Sequence, residues 1–233
     1  MHLRGNFTSS RLVRLLSDST ELDIDASRQD VAQRLGRWLD TLDTVKLSAA
    51  HQSITALATG RASDGLPPGG ADTLEHAFHH VQTAMVQAIV ASVQTGTAAH
   101  TGTGTGYSAY RQRYLEQQRL MESKIGPLRA QVRQVLSHVS PSLRQLAYLD
   151  AAMHQVVGGR EQRLLSTVPV LLERRFEQLR KAARHGDDEG ENTGWLAAFG
   201  KEWQEALLAE MTVRLQPVVG LMEALSNEVK KSQ

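Results

Sequence analysis

The chain predicts an all-α fold, an elongated antiparallel helical bundle with long C-terminal helices. Apolar residues recur three and four positions apart in stretch after stretch, the spacing that places them on one flank of a helix. Period-two alternation, the mark of a half-buried strand, is hard to find. No repeat of fixed period runs along the chain, so a bundle fits better than a solenoid.

The elements follow in order. A short first helix starts near Ser9 or Ser10, whose hydroxyl can accept from an orphan N–H, and carries Leu12, Val13, Leu15 and Leu16. A second starts at Ser27 with Asp30 as an approximate capping box and aligns Val31, Leu35, Trp38, Leu39 and Leu42. A third, separate helix runs from about Leu47 to Ala58 and stops at Gly60. The stretch GRASDGLPPGG, residues 60–70, cannot continue a helix. Asp72 then caps a helix with the face Leu74, Phe78, Val81, Met85, Ile89 and Val93, ending at Gly96. Ser108 opens a long run through Tyr110, Tyr114, Met121, Ile125, Leu128, Val132, Val135 and Val139, kinked or broken at Gly126-Pro127. Ser140-Pro141 reads as an N-cap followed by proline at the first helical position. The helix it starts reaches about Val157, falters at Gly158-Gly159, resumes through Leu164, Leu165, Val168, Leu171, Leu172, Phe176 and Leu179, and is bent at Pro169. After the polar loop HGDDEGENTG the last helix carries Trp195, Phe199, Trp203, Leu207, Met211, Leu215, Val218, Met222 and Leu225, the most regular stripe in the chain. These breaks divide the chain into an N-terminal short-helix region over 1–59, a linker over 60–71 and a long-helix bundle over 72–233, which together can also form one domain.

Composition bounds the chemistry. With 233 residues a sizeable core can be buried, and with no cysteine there is no disulfide, thiolate nucleophile or Cys-ligated zinc. A reducing compartment, the cytoplasm, is the natural expectation. The N-terminus puts Arg11 and Arg14 where a secretory signal needs an apolar centre. The most apolar window, AMVQAIVASV at 84–93, is about half of the roughly 20 residues a membrane span requires, so a soluble protein is expected.

The residues Arg11-Leu12-Val13-Arg14-Leu15-Leu16, then Arg34-Leu35-Gly36-Arg37-Trp38-Leu39-Asp40, then Leu47-Ser48-Ala49-Ala50 carry a resemblance. In this N-terminal segment the chain resembles a bacterial family catalogued as domain of unknown function 3348. The resemblance implies a bacterial, mostly helical protein that helps some larger system. It implies no activity, cofactor or catalytic residue.

Three clusters invite a chemical reading. The stretch GTAAHTGTGTGY at 96–107 is rich in glycine and threonine, but it lacks Gly-Lys-Ser/Thr, has no preceding strand and fails the GxGxxG spacing, so it reads as a flexible connection. In EHAFHH, residues 75–80, His76 and His80 stand four apart on one face, as do Glu75 and His79; two imidazoles can share a metal only with further ligands from elsewhere. His100, His138, His154 and His185 are scattered candidates for that role, and structural histidines are the plainer account.

Charge is uneven. Residues 1–107 have eight basic and ten acidic residues, 108–185 fourteen and six, and 186–233 four and nine, giving net charges of −2, +8 and −5. The basic middle interleaves Tyr107, Tyr110 and Tyr114 with Arg111, Arg113 and Arg119, the combination that stacks bases while neutralising phosphates. A second basic cluster comprises Arg174, Arg175, Arg180, Lys181 and Arg184. Against nucleic-acid binding, Tyr110 and Tyr114 share a stripe with Met121 and Ile125, the acidic last helix is a ready internal partner, and the whole chain carries only +1.

No GxSxG elbow, activated nucleophile or paired acids on one face stands out. The expected function is therefore non-enzymatic: a helical interaction or scaffold protein, an accessory component that meets a protein partner or its own copy through Trp195, Phe199 and Trp203, since large aromatics concentrate interface energy. An ordinary core seam is the competing account of those three. No cofactor is expected. The alternatives are nucleic-acid binding by the basic middle helices and a metal-dependent activity at His76 and His80.

Overall fold

The computed structural model describes residues 11, 12, 15, 41–57, 70–98, 106–185 and 194–231. The fold is all-α, and no strand occurs among the described residues. The helices are α1 (Thr41–Leu57), α2 (Gly70–Ala98), α3 (Ser108–Val139), α4 (Pro141–Leu165), α5 (Val168–His185) and α6 (Gly194–Lys231). The rest of the predicted first helix, the segment 16–40 with its proposed second helix, the linker residues 60–69, the glycine–threonine stretch 99–105 and the acidic loop 186–193 lie outside the described residues.

Several predicted boundaries move, each for a physical reason. Leu42 and Leu47, expected in separate helices, share α1, because nothing between them is glycine or proline and Asp43 is ion-paired to Arg160 at 2.6 Å instead of ending a helix. α2 begins two residues before Asp72, which sits in its first turn where a carboxylate suits the helix dipole. It also continues through Gly96 to Ala98. α3 is unbroken at Gly126-Pro127, although a proline inside a helix costs about 3 kcal/mol. Ile125 and Leu128, on either side, are buried, and their burial holds the segment helical.

The α3–α4 turn is made by Ser140 as the spacing predicts. Its Oγ accepts from the Leu143 N–H at 3.3 Å and its carbonyl from the Arg144 N–H at 2.9 Å, while Arg144 Nε donates to the Ser137 carbonyl at 2.9 Å and satisfies the end of α3. α4 runs through Gly158-Gly159 without faltering. The real break comes at Ser166-Thr167, where the Thr167 carbonyl accepts from the Val170 and Leu171 N–H groups at 3.0 and 3.2 Å. Pro169 therefore sits in the first turn of α5, where its missing N–H costs nothing, and it starts a helix instead of bending one.

The chain gathers into two compact units. One holds Gln82–Ser123, Leu164–Arg214 and N-terminal residues that include Leu12 and Leu15. Its core is aromatic. Phe199 meets Tyr110 and Phe176 edge-on at 5.0 Å, and Trp203 meets Tyr110 and Tyr114 at 6.0 and 5.9 Å. Leu12 packs against Leu165 and Ala209, with Leu15 and Val213 beside them. The Tyr107 hydroxyl donates to the Pro169 carbonyl.

The other unit holds Lys124–Arg163, the residues from Leu215 onward and the segment ending at Val81. Leu74, Val132, Leu136, Leu143, Val156, Val218 and Leu225 form its core. α1 lies against α4 through the Asp43–Arg160 pair and through Gln145 Nε2, which donates to the Ile54 carbonyl at 3.0 Å. α3 is tied to α4 by Arg129, whose Nε and Nη2 grip Asp150 at 2.8 and 2.5 Å, and by Arg133, with Nε 3.0 Å from the same carboxylate.

Candidate functional site

In the second unit, the first turns of α2 and the last turns of α6 enclose an open trough of about 520 Å³. Its origin lies in the width of α6's apolar flank. Leu215, Val218, Leu221 and Leu225 form the stripe that the unit buries, and Val219, Met222 and Val229 add a second apolar edge beside it. Val219 remains 37% exposed. On α2, buried Leu74 and half-buried Phe78, one turn apart, supply the facing wall. Asp72, Glu75 and Glu223 stand on the rim with His79 and Lys230. Glu75 Oε1 lies 3.7 Å from His79 Nε2, so the pair anticipated in EHAFHH forms on the solvent side.

The residues singled out in the sequence fall elsewhere. Phe199 and Trp203 are 0% and 1% exposed and Trp195 is half-buried against Phe176, so a partner could meet the two inner rings only if the cluster opened. Trp203 Nε1 finds no acceptor among the described residues.

Tyr110 and Tyr114 belong to the same cluster. Burial raises both hydroxyls above the ordinary tyrosine value, Tyr114 further because Glu210 faces it. No base can stack on either ring while it is so covered. Of the arginines, Arg111 and Arg119 are exposed and line a hollow of about 280 Å³ with Ser108 and Leu115, opposite Glu173. Arg113 is half-buried beside Tyr110. Arg175 is gripped by Glu202 through two bonds of 2.9 Å, and Arg180 lies 3.1 Å from Glu177. Arg174, Lys181 and Arg184 are exposed on α5. The structure thus gathers Arg111 and Arg119 into one hollow and commits Arg175 to an internal pair.

His76 and His80 are exposed on α2. Among the described residues no three or more histidines and carboxylates gather where they could hold a metal ion. His154 belongs to the Arg129–Asp150 cluster, with Nδ1 3.1 Å from Arg129 Nη1. Burial first, and then Arg129 and Arg133, hold its pKa below the ordinary imidazole value.

A family profile described as "Protein of unknown function (DUF3348)" matches residues 1–227, nearly the whole chain. The chain belongs to the DUF3348 family. No curated protein and no solved structure matches it. The N-terminal resemblance therefore extends across both units, but membership carries no activity with it. Among the described residues no helix is long and apolar enough to cross a membrane.

Sequence reasoning missed the trough, although Leu74, Phe78, Met222 and Leu225 all stood on predicted stripes. The available signal was the widening of α6's apolar arc near its end, where Val219 and Val229 join Met222 and Leu225, already on the predicted stripe. A second omission was Glu210, wholly buried and bonded to Tyr114, Gln118 and Arg214.

Proposed function

We propose that this DUF3348 protein is a non-enzymatic interaction protein that holds another protein at the trough between α2 and α6. The observation that carries the reading is the trough itself: exposed Val219 and half-buried Phe78, Met222 and Val229 stand beside buried Leu74 and Leu225 in an apolar hollow rimmed by charge, the build of a protein-recognition site. Partner recognition therefore moves from the aromatic cluster near the start of α6 to the apolar residues near its end. The absence of cysteine supports a reducing compartment, the cytoplasm, as the place of work.

The test is a photo-crosslinking amino acid placed at exposed Val219 of the full chain in its native host, with exposed Gln178 on α5 as the control position. A discrete crosslinked protein from position 219 and not from 178 is expected. The same products from both positions, or none from 219, would remove the basis of the proposal.

The hollow beside Arg111 and Arg119 favours a second reading, an anionic ligand such as a nucleic-acid backbone. Glu173 opposes it there. A labelled single strand that shifts with the chain at low salt, and less with Arg111→Ala/Arg119→Ala, would support that reading; no shift at low salt would end it.

A further inference from the structure

The trough restricts the shape of its occupant. Both walls are helices with apolar side chains one turn apart: Leu74 and Phe78 on α2, and Met222, Leu225 and Val229 on α6. From Met222 to Val229 the wall runs two turns, about 10 Å at 1.5 Å per residue. A helix laid along it meets this wall with side chains at i, i+3 or i+4, and i+7. An extended peptide would instead press backbone N–H and C=O groups against apolar walls that offer no strand edge to pair with them.

Charge restricts the occupant further. Asp72, Glu75 and Glu223 are carboxylates on the rim, against Lys230 and His79, the latter already facing Glu75. An acidic helix would bring like charges together, and an anionic bilayer surface would meet the same repulsion. Among the described residues a second copy of this chain offers no well-suited helix. Its two most basic described helices, α3 with six lysines and arginines and α5 with five, bury their apolar stripes, Tyr114, Met121, Leu128 and Val132 on the one and Leu172 and Phe176 on the other, so neither exposes an apolar stripe flanked by its cations.

We infer that the occupant is an amphipathic helix of another protein, with apolar anchors one turn apart flanked by lysine or arginine. This rests on the reading of the chain as an interaction protein and adds the chemistry of what is held.

The experiment uses the full chain and two fluorescent peptides of about five turns. Both carry leucine at i, i+3, i+4 and i+7; one is flanked by lysines and the other by glutamates. Anisotropy titration should show saturable binding of the lysine peptide, with the glutamate peptide weaker by more than about tenfold. Glu75→Lys/Glu223→Lys changes two exposed side chains and should reverse that order. Wild-type affinity for the lysine peptide should also fall as salt rises, a readout that needs no variant.

Equal binding of both peptides, salt-insensitive binding, or an unreversed order in a variant of unaltered helix content would overturn the inference. So would a wild-type dimer that the double reversal dissociates, since the trough would then be filled by its own copy. A specific crosslink from position 219 alongside peptides that bind without charge preference would leave the interaction reading standing and refute this inference alone.

Discussion

Arg214→Ala tests how the first unit holds a wholly buried carboxylate. Glu210 is 0% exposed, accepts from the Tyr114 hydroxyl at 2.9 Å and from Gln118 Nε2 at 3.0 Å, and is ion-paired to Arg214 through Nε at 2.9 Å and Nη2 at 2.8 Å. Gln118 Nε2 also reaches the Leu165 carbonyl at 3.0 Å, so the network joins α3, α6 and the end of α4. Removing one partner of a buried pair costs about 3–5 kcal/mol, because the remaining charge stays in a medium that solvates it poorly. Tyr114 and Gln118 still donate in the variant, which places the expected loss near the lower end, about 3 kcal/mol. For a chain of this size that lowers the melting temperature by about 6–12 °C.

The second arm is Arg214→Ala/Glu210→Gln. It removes the stranded charge while leaving an oxygen for Tyr114, so its loss should be clearly smaller than the sum of the two single losses. Urea denaturation followed by tryptophan fluorescence, with Trp203 at the adjacent cluster as reporter, measures all four proteins. A loss below about 1 kcal/mol for Arg214→Ala, the range of a solvated surface pair, would refute the reasoning. So would additive single losses.

Phe199→Ala should cost about 3–5 kcal/mol, because the ring is wholly enclosed by Tyr107, Tyr110 and Phe176; near-ultraviolet dichroism and a urea curve check it. His154 binds protons less readily in the folded chain than its ordinary value allows, so its contribution is complete above the ordinary imidazole value and is lost as pH falls from there through its lower folded value. Melting temperature against pH should therefore fall on the acid side of neutrality by less in His154→Gln than in the wild type. Gly159→Ala, where a Cβ meets nothing within 4 Å, should stabilise by up to about 1 kcal/mol, the helix-propensity difference. Gly158→Ala should gain less or lose stability, since its Cβ would approach His154 Nδ1 to 3.1 Å and disturb the bond to Arg129; thermal melts of the two variants decide this.

Helix registers were legible because they depend on spacing within one element, and so were ends set by local chemistry, as at Ser108 and Ser140-Pro141. Two of the misplaced ends share one cause. Considered alone, Gly158-Gly159 weakens a helix by roughly 2 kcal/mol and Gly126-Pro127 by roughly 4 kcal/mol. Buried neighbours such as Val156 and Ile125 or Leu128 offset those amounts, and burial is set by the tertiary fold, not by spacing within one helix. Thr167 shows the reverse case: a threonine two residues before a proline is a start signal, and α4 yields there even though apolar residues continue on both sides.

Spacing tells which flank of a helix is apolar and is silent on what that flank meets. Trp195, Phe199 and Trp203 suggested one surface and Tyr110 and Tyr114 another, yet about 90 residues of chain separate two halves of a single cluster. An anchor for a partner has to be open before the partner arrives, so rings that have satisfied one another inside the fold are poor candidates however large they are. Near the end of α6 the apolar arc is wider than its neighbours cover, and there Val219 is exposed and Met222 and Val229 are only half-buried. Contact energy for a partner is available where internal packing stops short, and on the last turns of α6 it stops short beside three carboxylates that set the sign of what can approach.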